Sequence, residues 1–354
     1  MSADQNTVLS LQALNRSAVR LSIVLIIALP LSLVCSISLG SVDIAISDIV
    51  AFFLGRPSSE GLVAVIQDIR LPRALLAALV GAMLGICGAT TQGLFRNPLA
   101  DPSLIGVTAG ASAGAALTIY FAATVSMLSG FSGIAFVSLG AFLGGALAVT
   151  GVYKLATDKT GTSVATMLLA GIAITAVAGA LTNFVEYFAD NEDLRRISLW
   201  QMGGIDGANY LRVTIASLAG LLIFSILPLY SSALNALLLG ESEARHLGIS
   251  VQKTKRNLIL LVALGVGICV ALSGTIAFIG LVVPHIIRLL IGPNHRFLLP
   301  LSALGGAILL ILADTLARTA FAPTELPVGL VTALFGAPFF ISLLRNRKKF
   351  GMGA

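Results

Sequence analysis

The chain has 354 residues, 57% of them hydrophobic and only 11% charged, with a formal net charge of +6. Soluble domains carry roughly a quarter of their residues as Asp, Glu, Lys and Arg, so this balance excludes an ordinary soluble fold and predicts an all-α polytopic membrane protein. Such a bundle can form one continuous unit, and we read residues 21–344 as a transmembrane domain between a cytoplasmic segment, 1–20, and a basic cytoplasmic tail, 345–354.

A helix rises about 1.5 Å per residue, so about twenty apolar residues cross the hydrocarbon core, where no backbone polar group can go unpaired. Residues 1–20 are polar, with Arg16 and Arg20. The apolar run after them, 21–40, is too long for a signal-peptide core and lacks a small-residue cleavage pattern, so it is expected to stay as the first span. The run 74–95 gives the second span, and 102–153, 52 residues without charge, gives two more around a turn near 126–133 (SMLSGFSG). Runs 160–185 and 213–240 give one span each. Between 257 and 284 a break at Ser273-Gly274-Thr275 divides one full span from a shorter one that ends around PHIIRLLIG. Runs 297–313 and 326–344 complete ten spans, an even number that puts both termini on one side.

Lysine and arginine favour cytoplasmic segments. With the amino terminus inside, inner segments hold fifteen of the 22 basic residues and five of the 16 acids, so the +6 divides into +10 inside and −4 outside. Topology alone therefore accounts for the basic net charge, and no nucleic-acid partner is needed. Gly81 and Gly85, and Gly140 and Gly144, have the four-residue spacing that lets helices approach closely in lipid. Cys35, Cys87 and Cys269 sit in apolar runs without metal-ligand or disulfide spacing and read as small buried hydrophobes.

Enzymatic motifs are missing. Lys159-Thr160 and Lys253-Thr254 follow Asp158 and Gln252, so neither completes the GxxxxGK[ST] phosphate loop, and HExxH and GxSxG do not occur. His246, His285 and His295 have no i, i+4 partner that would suit a metal. We expect no catalytic, cofactor-binding or metal residues. Asp314 is the one acid read inside a span, near its outer end, which argues against a proton- or sodium-coupled carrier; no ring of charge marks a channel. The longest inner loop, 237–257 (LLLGESEARHLGISVQKTKRN), contains a helix-compatible stretch at 241–246 that reads either as a solvated connector or as a docking ridge at the membrane surface.

Four segments taken in order, RLPRALLAALVGAMLGICGATTQGLFRNPLADPSLIGV, LGESEARHLGI, SGTIAFIGLVVPHIIRLLIGPNHRFLLP and LADTLARTAFAPTELPVGLVTALFGAPFF, resemble FecCD/BtuC-like permease subunits of bacterial ABC importers for iron complexes, haem or cobalamin. The resemblance covers nearly the whole chain after about residue 20. It implies the type II ABC importer permease fold, in the bacterial inner membrane with both termini cytoplasmic. It also implies a second copy of the chain, two ATPase subunits that hold ATP and magnesium, a periplasmic substrate-binding protein outside, and transport by alternating access. No cofactor is implied in this chain.

The resemblance also assigns residues. Leu239, Gly240, Glu241, Arg245, Leu247 and Gly248 match the coupling segment, with Glu241, Arg245 and Leu247 in the ATPase groove. Arg70, Arg73 and Arg318 match arginines that meet carboxylates of the binding protein, a role for which a planar, permanently charged fork is suited. Arg195 and Arg196 lie in a matching outer segment without an assigned partner. A cytoplasmic gate falls at Thr162 and Ser163 if two residues are inserted relative to the common pattern, and at Val164 and Ala165 without a gap. FRNPLADP becomes a cytoplasmic turn beside the coupling loop, facing the ATPase, with Pro98 and Pro102 stopping helices and Asn97 and Asp101 capping amides of the next one. The run 167–181 (MLLAGIAITAVAGAL) is most similar to haem importers, and Tyr187 is the nearest possible axial ligand. A ferric siderophore or cobalamin suits a similar lining; an ion-coupled carrier and a membrane scaffold are the competing classes.

Overall fold

The computed structural model describes residues 2–345 other than 41, 57, 58, 125–130 and 160. The centre of the turn expected at 126–133 and the tail beyond 345 lie outside the described residues. Helix α1 (Ser2–Ser38) is followed by two short helices, α2 (Ile46–Phe53) and α3 (Glu60–Ala64), and by a π-helical turn (Val65–Arg70) that feeds α4 (Leu71–Leu94). A 3-10 turn (Pro102–Ile105), α5 (Val107–Thr124) and α6 (Phe131–Ala156) come next. A two-stranded hairpin, β1 (Thr157–Asp158) with β2 (Gly161–Thr162), leads into α7 (Val164–Phe188) and α8 (Asn191–Met202). The chain continues through α9 (Tyr210–Ile226), a 3-10 turn (Leu227–Tyr230), α10 (Ser231–Leu238), α11 (Glu241–His246), α12 (Val251–Ser273), α13 (Ile279–Ile291), α14 (His295–Thr319) and α15 (Val328–Arg345).

Among the described residues, seven helical segments are long and apolar enough to cross a bilayer, and three shorter apolar helices, Val107–Phe121, Ile279–Ile291 and Val328–Leu343, fill the other positions of the ten-span reading. Several boundaries differ from the charge-free runs. The second span extends back to Glu60 instead of starting at 74, and the ninth runs on to Thr319 instead of stopping at 313. Counting charge-free residues cut both helices at Arg73 and Asp314, yet these two charges pair with each other inside the bundle. Pro228 breaks the sixth span into α9 and α10, because it supplies no N–H to the helical ladder. The expected break after Ser273 is present: Gly274 takes φ +64° and α13 begins at Ile279.

Helix α4 is the central element, and most of its residues from Pro72 to Leu94 are buried. Its contact with α14 depends on glycine: a Cβ at Gly81 would lie 2.3 Å from the Gly306 carbonyl oxygen, and one at Gly85 would lie 2.1 Å from that of Ser302. The second glycine pair does the same for α5 and α6, where a Cβ at Gly144 would meet the Gly110 carbonyl oxygen at 2.2 Å. At these crossings the backbones touch, so packing replaces the hydrophobic drive that lipid does not provide. Cys87 and Cys269 are buried free thiols, and Cys35 is a half-buried one. Helices α1 and α7 lie at the edge, with most of their apolar residues outside the core.

Candidate functional site

The 24 residues of α4 place two polar regions at opposite ends of the bundle, about 36 Å apart at 1.5 Å per residue. The C-terminal end holds the segment expected to couple to an ATPase. Helix α11 is bracketed by Gly240 at φ +121° and Gly248 at φ +82°, backbone conformations that side-chain-bearing residues rarely adopt. A helix of six residues cannot hold itself together in water. Ala244 seats it by packing, fully buried, into a small cluster with Ala236, Leu237 and Val251. Flanking it, Leu239 and Leu247 are 67% and 63% exposed, and within it Arg245 is exposed, with its Nε donating to the Glu241 carbonyl.

The FRNPLADP turn lies against this ridge: the Arg96 guanidinium is 4.0 Å from where a Gly240 Cβ would stand. Asp101 accepts from the Ser103 amide at 2.8 Å and caps the 3-10 turn. Asn97 caps the Leu99 amide at 2.9 Å within the turn itself, a correction to its expected place at the next helix. Behind the turn Gln92 is buried, donating to the Leu281 carbonyl and accepting from Arg288, which ties α4 to α13.

Glu241 points inward. Its carboxylate forms an ion pair with Lys255, whose side chain is only 3% exposed. The same ammonium donates to the Thr162 carbonyl at 2.9 Å, and the Thr162 amide donates to Gln252 at 2.9 Å. Thr162 is buried, with its hydroxyl 3.0 Å from that of Thr157 across the hairpin. Ser163 is exposed and caps α7 by accepting from the Thr166 amide at 3.3 Å. Of the ungapped pair, Val164 is half-buried and Ala165 exposed. The two expected gate residues therefore sit side by side with different surroundings, Thr162 in the protein interior and Ser163 on the surface.

Sequence reasoning missed Lys255, reading it as part of a basic loop. A signal was available: Val251, Lys255, Leu258, Ile259 and Val262 share one face at helical spacing. All five are buried, so the lysine belongs to an inward stripe.

At the other end of α4, Arg70, Arg73 and Arg318 are 5%, 9% and 7% exposed. Arg73 grips Asp314 through Nε (2.9 and 3.1 Å) and Nη2 (3.0 Å), and reaches Glu325 through Nη1 at 2.7 Å. Arg70 donates to the carbonyls of Ile37, Ser38 and Val42. Arg318 donates to the carbonyls of Leu39 and Ser36 and to the Ser36 hydroxyl, with Nε 3.6 Å from Asp314. All three guanidinium groups thus have internal partners and tie α1, α4 and α14 together. The charge left on view at this end is different: Arg195 and Arg196 on α8 are exposed, and the Glu325 carboxylate is about half exposed. A cavity of about 630 Å³ opens here, lined among others by Arg73, Arg195, Arg196, Arg212, Asp206 and Glu325. At its edge burial, and then the Asp190 charge, raise the Asp193 carboxyl above its ordinary range against the pull of Arg196. Tyr187 is 83% exposed at the same end of α7, edge-on to Phe188.

The chain is 45% identical over 283 residues to the hemin transport system permease protein HmuU of Yersinia pestis, covering 80% of this chain and 83% of that one. It is 42% identical over 284 residues to the cobalamin import system permease protein BtuC of Halobacterium salinarum, covering 80% and 74%. A metal-chelate type ABC transporter solved in an inward-facing conformation superposes with a TM-score of 0.79 at 32% identity, over 93% of this chain and 99% of that one. The family model described as the FecCD transport family matches residues 25–346, and the chain belongs to that family.

Proposed function

We propose that this ABC importer permease moves haem across the bacterial inner membrane by alternating access. Two copies form the pathway, each resting on an ATPase subunit at the α11 end, and a periplasmic binding protein delivers substrate at the arginine end. Both termini face the cytoplasm. The observation that carries this reading is the seated, exposed ridge of α11, a surface shaped for a partner and joined by buried contacts to the start of α7. The carboxylate buried between spans, Asp314, is closed off by two arginines and is not free to cycle protons or sodium. Work therefore comes from nucleotide hydrolysis on the partner.

Haem is supported by similarity to the hemin permease and by α7, whose exposed side chains, Leu169, Ile172, Val177 and Leu181 among them, are apolar and offer a flat macrocycle no tight hold. Similarity to the cobalamin permease supports the second reading, the same machine carrying cobalamin; a ferric siderophore is the third cargo to test. Proteoliposomes containing the chain, its ATPase and its binding protein should accumulate substrate only with ATP. Uptake driven by a proton or sodium gradient without nucleotide would establish a secondary carrier instead. Titrating the binding protein with haem, cobalamin and ferric siderophores decides the cargo, and tight binding of cobalamin alone would overturn haem.

A further inference from the structure

A buried side chain joins α11 to the segment that starts α7. Lys255 emerges from α12, pairs with the Glu241 carboxylate in the first turn of α11, and donates to the Thr162 carbonyl at the end of the hairpin. The next residue, Ser163, caps α7 and donates its own amide to Ala156 at 2.9 Å, so a displacement of Thr162 is felt at once by the helix. The ammonium is out of water. Neither contact can be released without leaving a buried charge short of a partner, a far larger penalty than breaking a solvated pair. Glu241 and Thr162 are therefore held to one another through a common cation.

Resting on the importer reading above, we infer that Lys255 is a positioning residue that transmits movement of the coupling helix to the cytoplasmic end of α7. Glu241 is accordingly the input of this link more than a docking charge, and docking falls to Leu239, Arg245 and Leu247. A lysine suits this position because its compact ammonium has three donors that can serve a carboxylate and a carbonyl at once.

The test compares substrate imported per ATP hydrolysed by the full complex in proteoliposomes. Lys255→Met keeps the stem and removes the charge. Its complex should still assemble and hydrolyse ATP within about twofold of wild type, while substrate imported per ATP falls at least tenfold. Lys255→Arg should recover a measurable part of that ratio. Glu241→Gln weakens the link from its more exposed end to a neutral hydrogen bond, and serves if the methionine variant does not assemble. Where both assemble, Lys255→Met/Glu241→Gln should be no worse than the poorer single variant, since both act on one connection. An unchanged ratio in Lys255→Met or in Glu241→Gln, or losses that multiply in the double variant, overturns the inference. Failure of the wild-type complex to import with ATP overturns the importer reading instead, so the two failures are separable.

Discussion

Removing one partner of the Arg73–Asp314 pair tests whether these arginines hold the bundle together or stand as free docking charges. Asp314→Ala leaves Arg73 with Glu325 alone and places it beside Arg318, which itself loses a carboxylate at 3.6 Å. The Asp314 side chain is 1% exposed and that of Arg73 11%, so water cannot replace the lost partner. Breaking a buried pair from one side costs about 3–5 kcal/mol. An unfolding entropy of about 2 cal/mol/K per residue makes each kcal/mol worth roughly 1.3 °C in a chain of this length. The midpoint for loss of monodisperse protein, read by gel filtration after heating in one detergent, should therefore fall by about 4–7 °C. Arg73→Met should do the same, and Arg73→Met/Asp314→Leu should recover a large part of the loss, because an apolar pair leaves no charge stranded. A docking-only arginine gives the opposite pattern. Midpoints within about 1 °C of wild type for both single variants, or a double variant equal to their sum, would refute the reasoning.

Gly85→Leu should lower the same midpoint by the equivalent of about 1–3 kcal/mol or more, since its first carbon falls on the Ser302 carbonyl; Gly61→Ala, where nothing stands within 4 Å, is the neutral control. Ser163→Ala removes the cap on α7, a loss of about 0.5–2 kcal/mol that should appear as a modest midpoint drop without loss of ATPase binding. Arg245→Ala/Leu247→Ala strips the exposed ridge while leaving its buried seat intact. Co-purification with the ATPase should fall at least tenfold while the midpoint of the isolated chain is unchanged; capture at wild-type level would remove α11 from the interface.

The membrane-crossing helices were legible because lipid imposes one demand that a sequence must answer openly, a stretch of apolar residues. The glycine crossings were legible for a related reason, since backbones can approach only where side chains are missing. What the sequence concealed was the fate of each charge. Arg73 and Asp314 are 241 positions apart and read as a loop arginine and a span-end acid; only the packing of α4 on α14 makes them a pair. Arg70 and Arg318 were assigned outward roles by resemblance, yet their guanidinium groups satisfy carbonyls at the end of α1, where the helix leaves its last acceptors unpaired. Helix α8 carried no apolar run to announce it, although Asp190 marks its start as a cap that accepts from the Asp193 amide.

The two ends of α4 use buried charge in different ways. At the arginine end, three cations converge on Asp314 and on the carbonyls of α1, so several long helices are cross-tied and no single contact carries the joint. At the α11 end, a short helix lies between two positive-φ glycines, is seated by one small apolar cluster, and is joined to the residue pair before α7 through Lys255, next to the Gln252 contact on the same Thr162. A joint spread over several long helices resists displacement, whereas one that rests on two side chains of a single helix passes displacement on. In an importer powered from below, the second kind suits the end at which we propose that the ATPase binds.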